Sequence, residues 1–321
     1  MPPPDDAVVA VRRAVRAALA ATPPGSPVAA AVSGGADSLA LLAALAREAP
    51  KAGRSAAAVT VDHGLHSGSA EQAARVVAQA ASLGVPCATL TVSPDGSDEA
   101  AARTARYAAL DAWASANGVA AVLLGHTRDD QAEQVLLGLA RGSGARSLAG
   151  IPPARGPYLR PLLDVPRATT VAACAALGLT PWEDPANADA RHARARVRHV
   201  VLPILEEQLG PGVTAALART ARLLRDDADA LDALAAAHAS LAAADLAALP
   251  AAVRSRVLRR AAIDAGAPAN DLTAEHVSAI EAFVTDWHGQ REVALPGGLV
   301  AERRCDTLAF RRRPEPTGGA Q

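Results

Sequence analysis

The chain has 321 residues and a formal net charge of −1, and only 2% of its residues are aromatic. The near-neutral balance argues against the strongly basic footprint of many nucleic-acid-binding domains, and the few aromatic side chains argue against a surface that stacks unpaired bases. Lys51 is the only lysine, so a covalent mechanism through an enzyme lysine is not expected.

The cysteines Cys87, Cys174 and Cys305 lie far apart and form no Cys-x-x-Cys pair. This spacing argues against a zinc site, an iron–sulfur cluster or a disulfide framework. The first residues lack a basic region followed by an apolar run, and no long apolar stretch occurs, so neither a signal peptide nor a membrane span is predicted. We therefore expect a protein of the reducing cytoplasm.

Apolar periodicity predicts a first helix over residues 8–21, and four strand–helix pairs follow it. The predicted strands are 27–32, 56–61, 86–92 and 119–124, and the predicted helices are a stretch through Leu45, then 69–83, 98–117 and 129–139. Strands that alternate with helices of this length are typical of βαβ units. We predict an α/β fold with a doubly wound parallel sheet, whose ligands bind at the carboxyl ends of the strands.

After Gly150 the alternation weakens, with a fifth strand expected over 158–163 and a helix over 167–177. The turn signal at 209–212 places a domain boundary near residue 210. Beyond it we expect mainly helices and then a hairpin over 291–310. The predicted domains are a catalytic domain over 1–209 and a smaller, mostly helical domain over 210–321, with a disordered tail from about residue 311.

A glycine-containing loop joins the first predicted strand to its helix. Its residues are Ser33, Gly34, Gly35, Ala36, Asp37 and Ser38. Two glycines let the backbone approach a ligand closely, and the amino end of a helix binds anions. A carboxylate beside phosphates needs a cation such as Mg²⁺ between them. A serine-capped helix after a glycine turn is the structural alternative, and the full six-residue pattern favours phosphate binding over it.

A second polar cluster follows the fourth predicted strand, from Gly125 to Gln134. Asp130 and Glu133 are three residues apart at the start of a helix, so their carboxylates face the same way. Two acids near a nucleotide repel each other unless they hold a metal or an ammonium group. Helix capping explains one acid here, but three acids together with His126 favour a functional site.

Two arginine sets are more ambiguous. Glu99, Arg103 and Arg106 share one face of the helix over 98–117, a pattern that is typical of ion pairs along a helix. The stretch 191–198 is the densest basic strip, and it fits either a solvated helix face or contacts with phosphates.

The loop over 33–38 resembles the PP-loop of the N-type ATP pyrophosphatases, which cleave ATP between its α- and β-phosphates and adenylate a carbonyl oxygen. Further segments are similar to one branch of these enzymes, the tRNA(Ile)-lysidine synthetases. These segments are 61–67, 99–107, 125–134 and 141–163, with weaker similarity over 183–187 and 194–198. The chain departs from the family pattern at His66, Gln134, Ala186 and Ala195.

The resemblance implies an adenine nucleotide alpha hydrolase-like fold and a ligase that uses ATP and Mg²⁺. ATP would adenylate the C2 oxygen of the wobble cytidine in a tRNA(Ile) with a CAU anticodon. Free L-lysine would then displace AMP and leave lysidine. The C-terminal part is loosely similar to the appended tRNA-binding domain of the family. The oligomeric state, including a homodimer, is left open.

The resemblance also implies roles for individual residues. The loop and His126 would bind ATP, Asp37 would hold the metal, and Asp130 with Glu133 would bind lysine. The catalytic set includes those three acids together with arginines that stabilise phosphate charge. The candidate arginines are Arg106 and Arg196, with Arg103 and Arg198 as alternatives.

Three other functions compete with this one. A tRNA thiolase of the same superfamily would need a persulfide cysteine or a cluster-binding cysteine pair. A non-catalytic adenine-nucleotide binder would need neither the acids nor the downstream arginines. An amidotransferase-type synthetase would need an ammonia source, and no glutaminase domain is visible in the sequence.

Overall fold

The computed structural model describes residues 4–62, 64, 68–92, 99–142, 144–182 and 191–313. The chain divides into two compact units, Met1–Leu224 and Arg225–Gln321. The boundary near residue 210 stays a prediction, because the division by compactness falls inside a long helix that begins at Val213. No helix within the described ranges is long and apolar enough to cross a membrane.

The strands of the N-terminal unit form one sheet. They are β1 (Val28–Ala31), β2 (Ala56–Asp62), β3 (Cys87–Thr91), β4 (Ala121–Leu124), β5 (Ala154–Arg155) and β6 (Tyr158–Leu159). The strand order is β3-β2-β1-β4-β6-β5, and every neighbouring pair is parallel except β5 with β6. The predicted parallel α/β fold is therefore confirmed. The central strand β1 is built from valine and alanine because both faces of a parallel sheet are covered by helices.

Helices cover this sheet. They are α1 (Pro4–Leu19), α2 (Ala36–Glu48), α3 (Ser69–Ser82), α4 (Glu99–Ala116), α5 (Arg128–Ala140), α6 (Ala145–Leu148), α7 (Arg167–Ala176), α8 (Ala193–Arg196) and α9 (Leu202–Gln208). A 3-10 turn occupies Pro50–Ala52, and a π-helical stretch occupies Val197–Val201. The helices α1, α2 and α7 pack together over a core that includes Leu19, Leu41 and Leu45.

The fifth predicted strand is much shorter than expected. The structure keeps only Tyr158–Leu159 as β6, and β5 pairs with it as an antiparallel hairpin. The chain leaves the sheet at Arg160 and Pro161, because proline has no N–H to donate to a neighbouring strand.

The C-terminal unit combines helices with a small antiparallel sheet. Helix α10 (Val213–Ala237) spans the division between the units and is followed by α11 (Ala243–Ala248), α12 (Ala251–Asp264) and α13 (Ala274–Thr285). The sheet contains β7 (Val293–Leu295), β8 (Leu299–Arg304) and β9 (Thr307–Arg312). The predicted hairpin is thus extended by a third strand, which continues past residue 311, and residues 314–321 lie outside the described part of the chain.

Candidate active site

The loop after β1 is closed by one serine side chain. Ser38 Oγ accepts hydrogen bonds from the N–H groups of Ser33 and Gly34, both at 3.2 Å, and donates to the carbonyl of Gly35 at 2.9 Å. Gly34 has φ +92°, in the region that favours glycine. Gly35 caps α2 in extended conformation with no side-chain cap among the described residues. The first N–H groups of α2 are therefore available to an anion.

The end of β4 lies directly against this loop. A Cβ atom at Gly125 would be 3.1 Å from the carbonyl carbon and oxygen of Asp37, so only glycine lets the two segments approach this closely. The helix α5 begins three residues later. This packing brings the acids of α5 next to the start of α2.

Three carboxylates from these two helices converge on one guanidinium group, that of Arg167. Arg167 Nε lies 3.1 Å from Asp37 Oδ2, Nη2 lies 2.8 Å from Asp130 Oδ1, and Nη1 lies 3.4 Å from Glu133 Oε1. The Glu133 side chain is fully buried, and the side chains of Asp37 and Asp130 are 22% and 11% exposed. The structure therefore brings Asp37, Asp130 and Glu133 together around Arg167.

A second arginine completes the pairing of the α5 acids. Arg198 binds Glu133 through Nε at 2.7 Å and Nη2 at 3.0 Å, and its Nη2 also lies 3.2 Å from Asp130 Oδ1. Arg194, one helical turn earlier, approaches Glu133 at 3.5 Å. An open cavity of about 190 Å³ lies beside Glu133, Arg167 and Arg198.

A larger cavity lies elsewhere in the N-terminal unit. It has a volume of about 510 Å³ and is lined mainly by alanine, leucine and valine side chains of α1, α2 and α7. It contains none of the acids described above, and we do not associate it with the chemistry.

The surroundings shift the pKa values of the site in opposite directions. Burial raises the pKa of Asp130, but Arg167 and the N–H of Thr127 outweigh burial and leave that pKa below its ordinary value. Burial dominates at Asp37 and raises its pKa despite Arg167. Burial lowers the pKa of Arg167, but Asp130, Asp37 and Glu133 together leave it above its ordinary value. Asp130 and Arg167 therefore stay charged at neutral pH.

Some of the acids also cap helices. Asp130 Oδ2 accepts from the N–H of Thr127 at 2.7 Å, which fixes the start of α5. Asp129 Oδ2 accepts from the N–H of Arg167 at 2.8 Å and so caps the neighbouring helix α7. Capping and site formation are thus combined, because Asp130 caps with one oxygen and binds the arginines with the other.

His126 lies between the end of β4 and the α5 acids. Its Nδ1 is buried and has no hydrogen-bond partner within the described residues. Burial is the main reason why its pKa falls to about 4. His126 is therefore a neutral imidazole at physiological pH, with one ring nitrogen free to meet a ligand.

The remaining predicted arginines have different surroundings. Arg196 is exposed and donates to the carbonyl of Arg191 at 2.8 Å. Arg103 stacks on the ring of Tyr107, 5.1 Å from its centroid, and Arg106 is half-buried on the same helix. Segments 65–67 and 183–187, which carry parts of the motif pattern, lie outside the described residues, as does His63.

The motif analysis missed Arg167. It is the first residue of α7, directly after Pro166, and belongs to none of the quoted motifs. Three acids in one site require a cation, and Arg167, the first residue of the predicted helix 167–177, was a candidate for it. That signal identifies Arg167 only if the start of α7 is already known to lie beside α2 and α5.

Comparisons with known proteins show the family of the chain. A PP-loop domain model matches residues 9–205, and a TilS substrate binding domain model matches residues 241–308. A tRNA thiolase structure from Methanococcus maripaludis, with a 4Fe–4S cluster, shares 19% identity and superposes with a TM-score of 0.58 over 69% of this chain and 80% of its own. At that identity the likeness concerns the fold alone.

Two relatives are far more similar. A tRNA(Ile)-lysidine synthase of Thermobifida fusca is 57% identical over 94% of this chain and 96% of its own length. One from Streptomyces coelicolor is 53% identical over 90% of this chain and 87% of its own. These matches confirm the resemblance drawn from the motifs, and the chain belongs to the tRNA(Ile)-lysidine synthase family.

Proposed function

We propose that this protein is a tRNA-modifying ligase that forms lysidine. ATP adenylates the C2 oxygen of the wobble cytidine of tRNA(Ile), and the ε-amine of free lysine attacks C2 and displaces AMP. The observation that carries the proposal is the convergence of Asp37, Asp130 and Glu133 beside a preformed anion-binding loop. One cluster thus faces both a polyphosphate and a cationic substrate.

The loop residues are assigned to the nucleotide. The N–H groups at the start of α2 bind phosphate oxygens, and the exposed Ser33 hydroxyl adds a donor at the same place. His126 is assigned to the nucleotide as well, since its neutral imidazole lies at the carboxyl end of β4, next to the loop. The leaving pyrophosphate would rest on these groups.

Asp37 is the proposed ligand for Mg²⁺. No group of three or more metal-binding side chains is found within the described ranges. A single carboxylate in the first turn of α2, beside the phosphate loop, fits Mg²⁺, which usually binds through one or two carboxylates together with substrate phosphates. When bound, the ion neutralises phosphate charge as the α–β bond breaks. Thr170 donates to Asp37 Oδ1 and holds the carboxylate in its orientation.

Asp130 and Glu133 are assigned to the lysine substrate. Their carboxylates are buried and paired with guanidinium groups, so they have the chemistry to pair with an ammonium group as well. The lowered pKa of Asp130 suits it to pairing and makes it a weak general base. Of the arginines predicted from the motifs, Arg198 contacts both acids of this pair, while Arg106 and Arg196 are assigned to phosphate or tRNA.

The C-terminal unit is assigned to the tRNA. Residues 241–308 match the substrate binding domain model, and the unit has its own core around Leu258, Ile280 and Phe283. We propose that it binds the tRNA substrate.

The thiolase alternative is not favoured. Burial raises the pKa of the Cys174 thiol to about 12, and burial also raises that of Cys87. Neither group is a reactive thiolate at neutral pH. A nucleotide-binding protein without catalysis would not need two buried acids on α5 to be held beside Asp37 and the loop.

The test is lysine transfer in vitro. The protein is incubated with ATP, Mg²⁺, radiolabelled lysine and a tRNA(Ile) transcript with a CAU anticodon, and the precipitated RNA is treated with mild base. We expect label that resists the base, whereas an aminoacyl ester would be lost. Glu133→Gln should raise the lysine KM, while Glu71→Gln, which removes an exposed acid paired with Arg75, should not. Absence of base-resistant label with folded protein would refute the proposal.

A further inference from the structure

Arg167 links two groups of acids that serve different substrates. Asp37 stands in the first turn of α2, beside the phosphate loop, whereas Asp130 and Glu133 stand on α5. One guanidinium donates to all three. Under the proposed function, it therefore touches both the nucleotide side and the lysine side of the site.

The backbone of Arg167 is anchored, but its side chain is not enclosed. Its N–H is held by Asp129 at 2.8 Å, and the carbonyl of Val165 accepts from the N–H of Arg128 at 3.0 Å. The side chain remains 23% exposed. A change of partner is therefore open to the guanidinium while the start of α7 stays in place.

We propose that Arg167 couples nucleotide binding to lysine binding. In the empty enzyme its guanidinium occupies the carboxylate oxygens that the lysine ammonium requires. Phosphates bound at the loop draw the guanidinium away from Asp130 and Glu133 and open the acid pair to lysine. This inference rests on the proposed function, in which ATP binds at the loop and lysine binds at the acid pair.

The direction of the coupling follows from charge. A polyphosphate carries several negative charges and accepts two parallel hydrogen bonds from a guanidinium, so it competes well against carboxylates. Arg198 also pairs with Glu133, at 2.7 Å, so the buried acid keeps a counter-ion when Arg167 turns away. Lysine then replaces Arg167 at Asp130 Oδ1, which Arg198 also contacts, on a carboxylate whose other oxygen, Oδ2, is held by the N–H of Thr127.

The experiment measures lysine affinity by calorimetry, with and without Mg²⁺ and α,β-methylene ATP, which is not cleaved at the α–β position. For the unaltered protein we expect the analogue to tighten lysine binding by a factor in the range of about 5 to 150 that is typical of coupled sites. Without nucleotide, the Arg167→Met variant should bind lysine more tightly than the unaltered protein does. The analogue should change the lysine affinity of this variant less than about twofold, which means that the two sites are essentially uncoupled.

Arg194→Met is the matched control, because Arg194 also approaches Glu133, whereas its contacts within the described residues reach Gln134 and not Asp37 or Asp130. It should keep the full coupling. Arg167→Lys, which retains the charge on a single nitrogen, should show reduced coupling. It replaces Arg167→Met in the experiment if that variant does not fold.

The outcomes separate the two proposals. If lysine binds the unaltered protein equally well with and without the analogue, or if Arg167→Met retains the full coupling, the role of Arg167 is refuted while lysidine formation stands. If the unaltered protein binds no lysine under either condition, both proposals fall.

Discussion

Gly34 offers the sharpest test of how the phosphate loop is built. It has φ +92°, and a Cβ atom there would lie 2.1 Å from Gln72 Nε2 and 3.1 Å from Val76 Cγ2. Gln72 is 8% exposed, and neither polar atom of its side-chain amide has a partner among the described residues. Gly34→Ala therefore adds both backbone strain and crowding on α3.

The two effects can be estimated separately. A residue other than glycine in the left-handed region costs about 1–2 kcal/mol. Crowding a packed interior with an extra methyl group costs about 1–3 kcal/mol. We expect Gly34→Ala to lower the free energy of unfolding of the N-terminal unit by about 2–5 kcal/mol. Nucleotide affinity should fall about tenfold or more, which corresponds to roughly 1.4 kcal/mol, because the N–H groups of the loop move.

Gly210→Ala is the matched control. Gly210 has φ +91° and open space around its Cβ position, so the substitution adds strain of about 1–2 kcal/mol without crowding. Urea denaturation followed by circular dichroism measures both variants. Adding Gln72→Ala to Gly34→Ala should recover the part of the lost unfolding free energy that is caused by crowding. Crowding at Gly34 is refuted if Gly34→Ala lowers the free energy of unfolding no more than Gly210→Ala does, or if adding Gln72→Ala recovers no stability.

Three further outcomes follow from the same structure. Glu48→Gln should cost about 1.5–3 kcal/mol in urea denaturation, because its side chain, 1% exposed, accepts from Arg12 and Arg16 on α1. The hydrogen bond from Arg16 is the main reason that the pKa of Glu48 is lowered from 4.5 to about 2. The stabilisation by Glu48 is therefore complete above pH 4.5 and is lost as the pH falls toward 2. If the stability of Glu48→Gln depended on pH in the same way as that of the unaltered protein, this role of Glu48 would be contradicted. Asp37→Ala should abolish AMP release in the lysine-transfer assay with the fold retained, and near-normal turnover would exclude the metal role.

Local sequence determined the architecture of the N-terminal unit. The alternation of apolar strands with amphipathic helices is a local property, so the parallel sheet could be predicted from it. The loop over 33–38 could be placed at the end of β1 for the same reason. The short β6 was predicted less well, because its apolar run continues to Leu163 although Pro161 ends the pairing.

The arginines of the site show what required the tertiary structure. Arg194 and Arg198 are four residues apart and share a helix face, while Arg196 between them points elsewhere. Helical periodicity predicts from the sequence that Arg194 and Arg198 lie on one face and Arg196 on another. Which face turns toward Glu133 depends on how residues 193–201 pack against α5, and the spacing of the arginines carries no information about that packing.

The sequence by itself determined the fold class, the phosphate loop and the pair of acids on α5, because each depends on residues that are close along the chain. Only the tertiary structure decided that Arg167 joins them, since its partner Asp37 is 130 residues away. Side chains that meet across such a distance are brought together by helix packing on the sheet, and the charges they carry become a site only when the acids are buried around a shared cation.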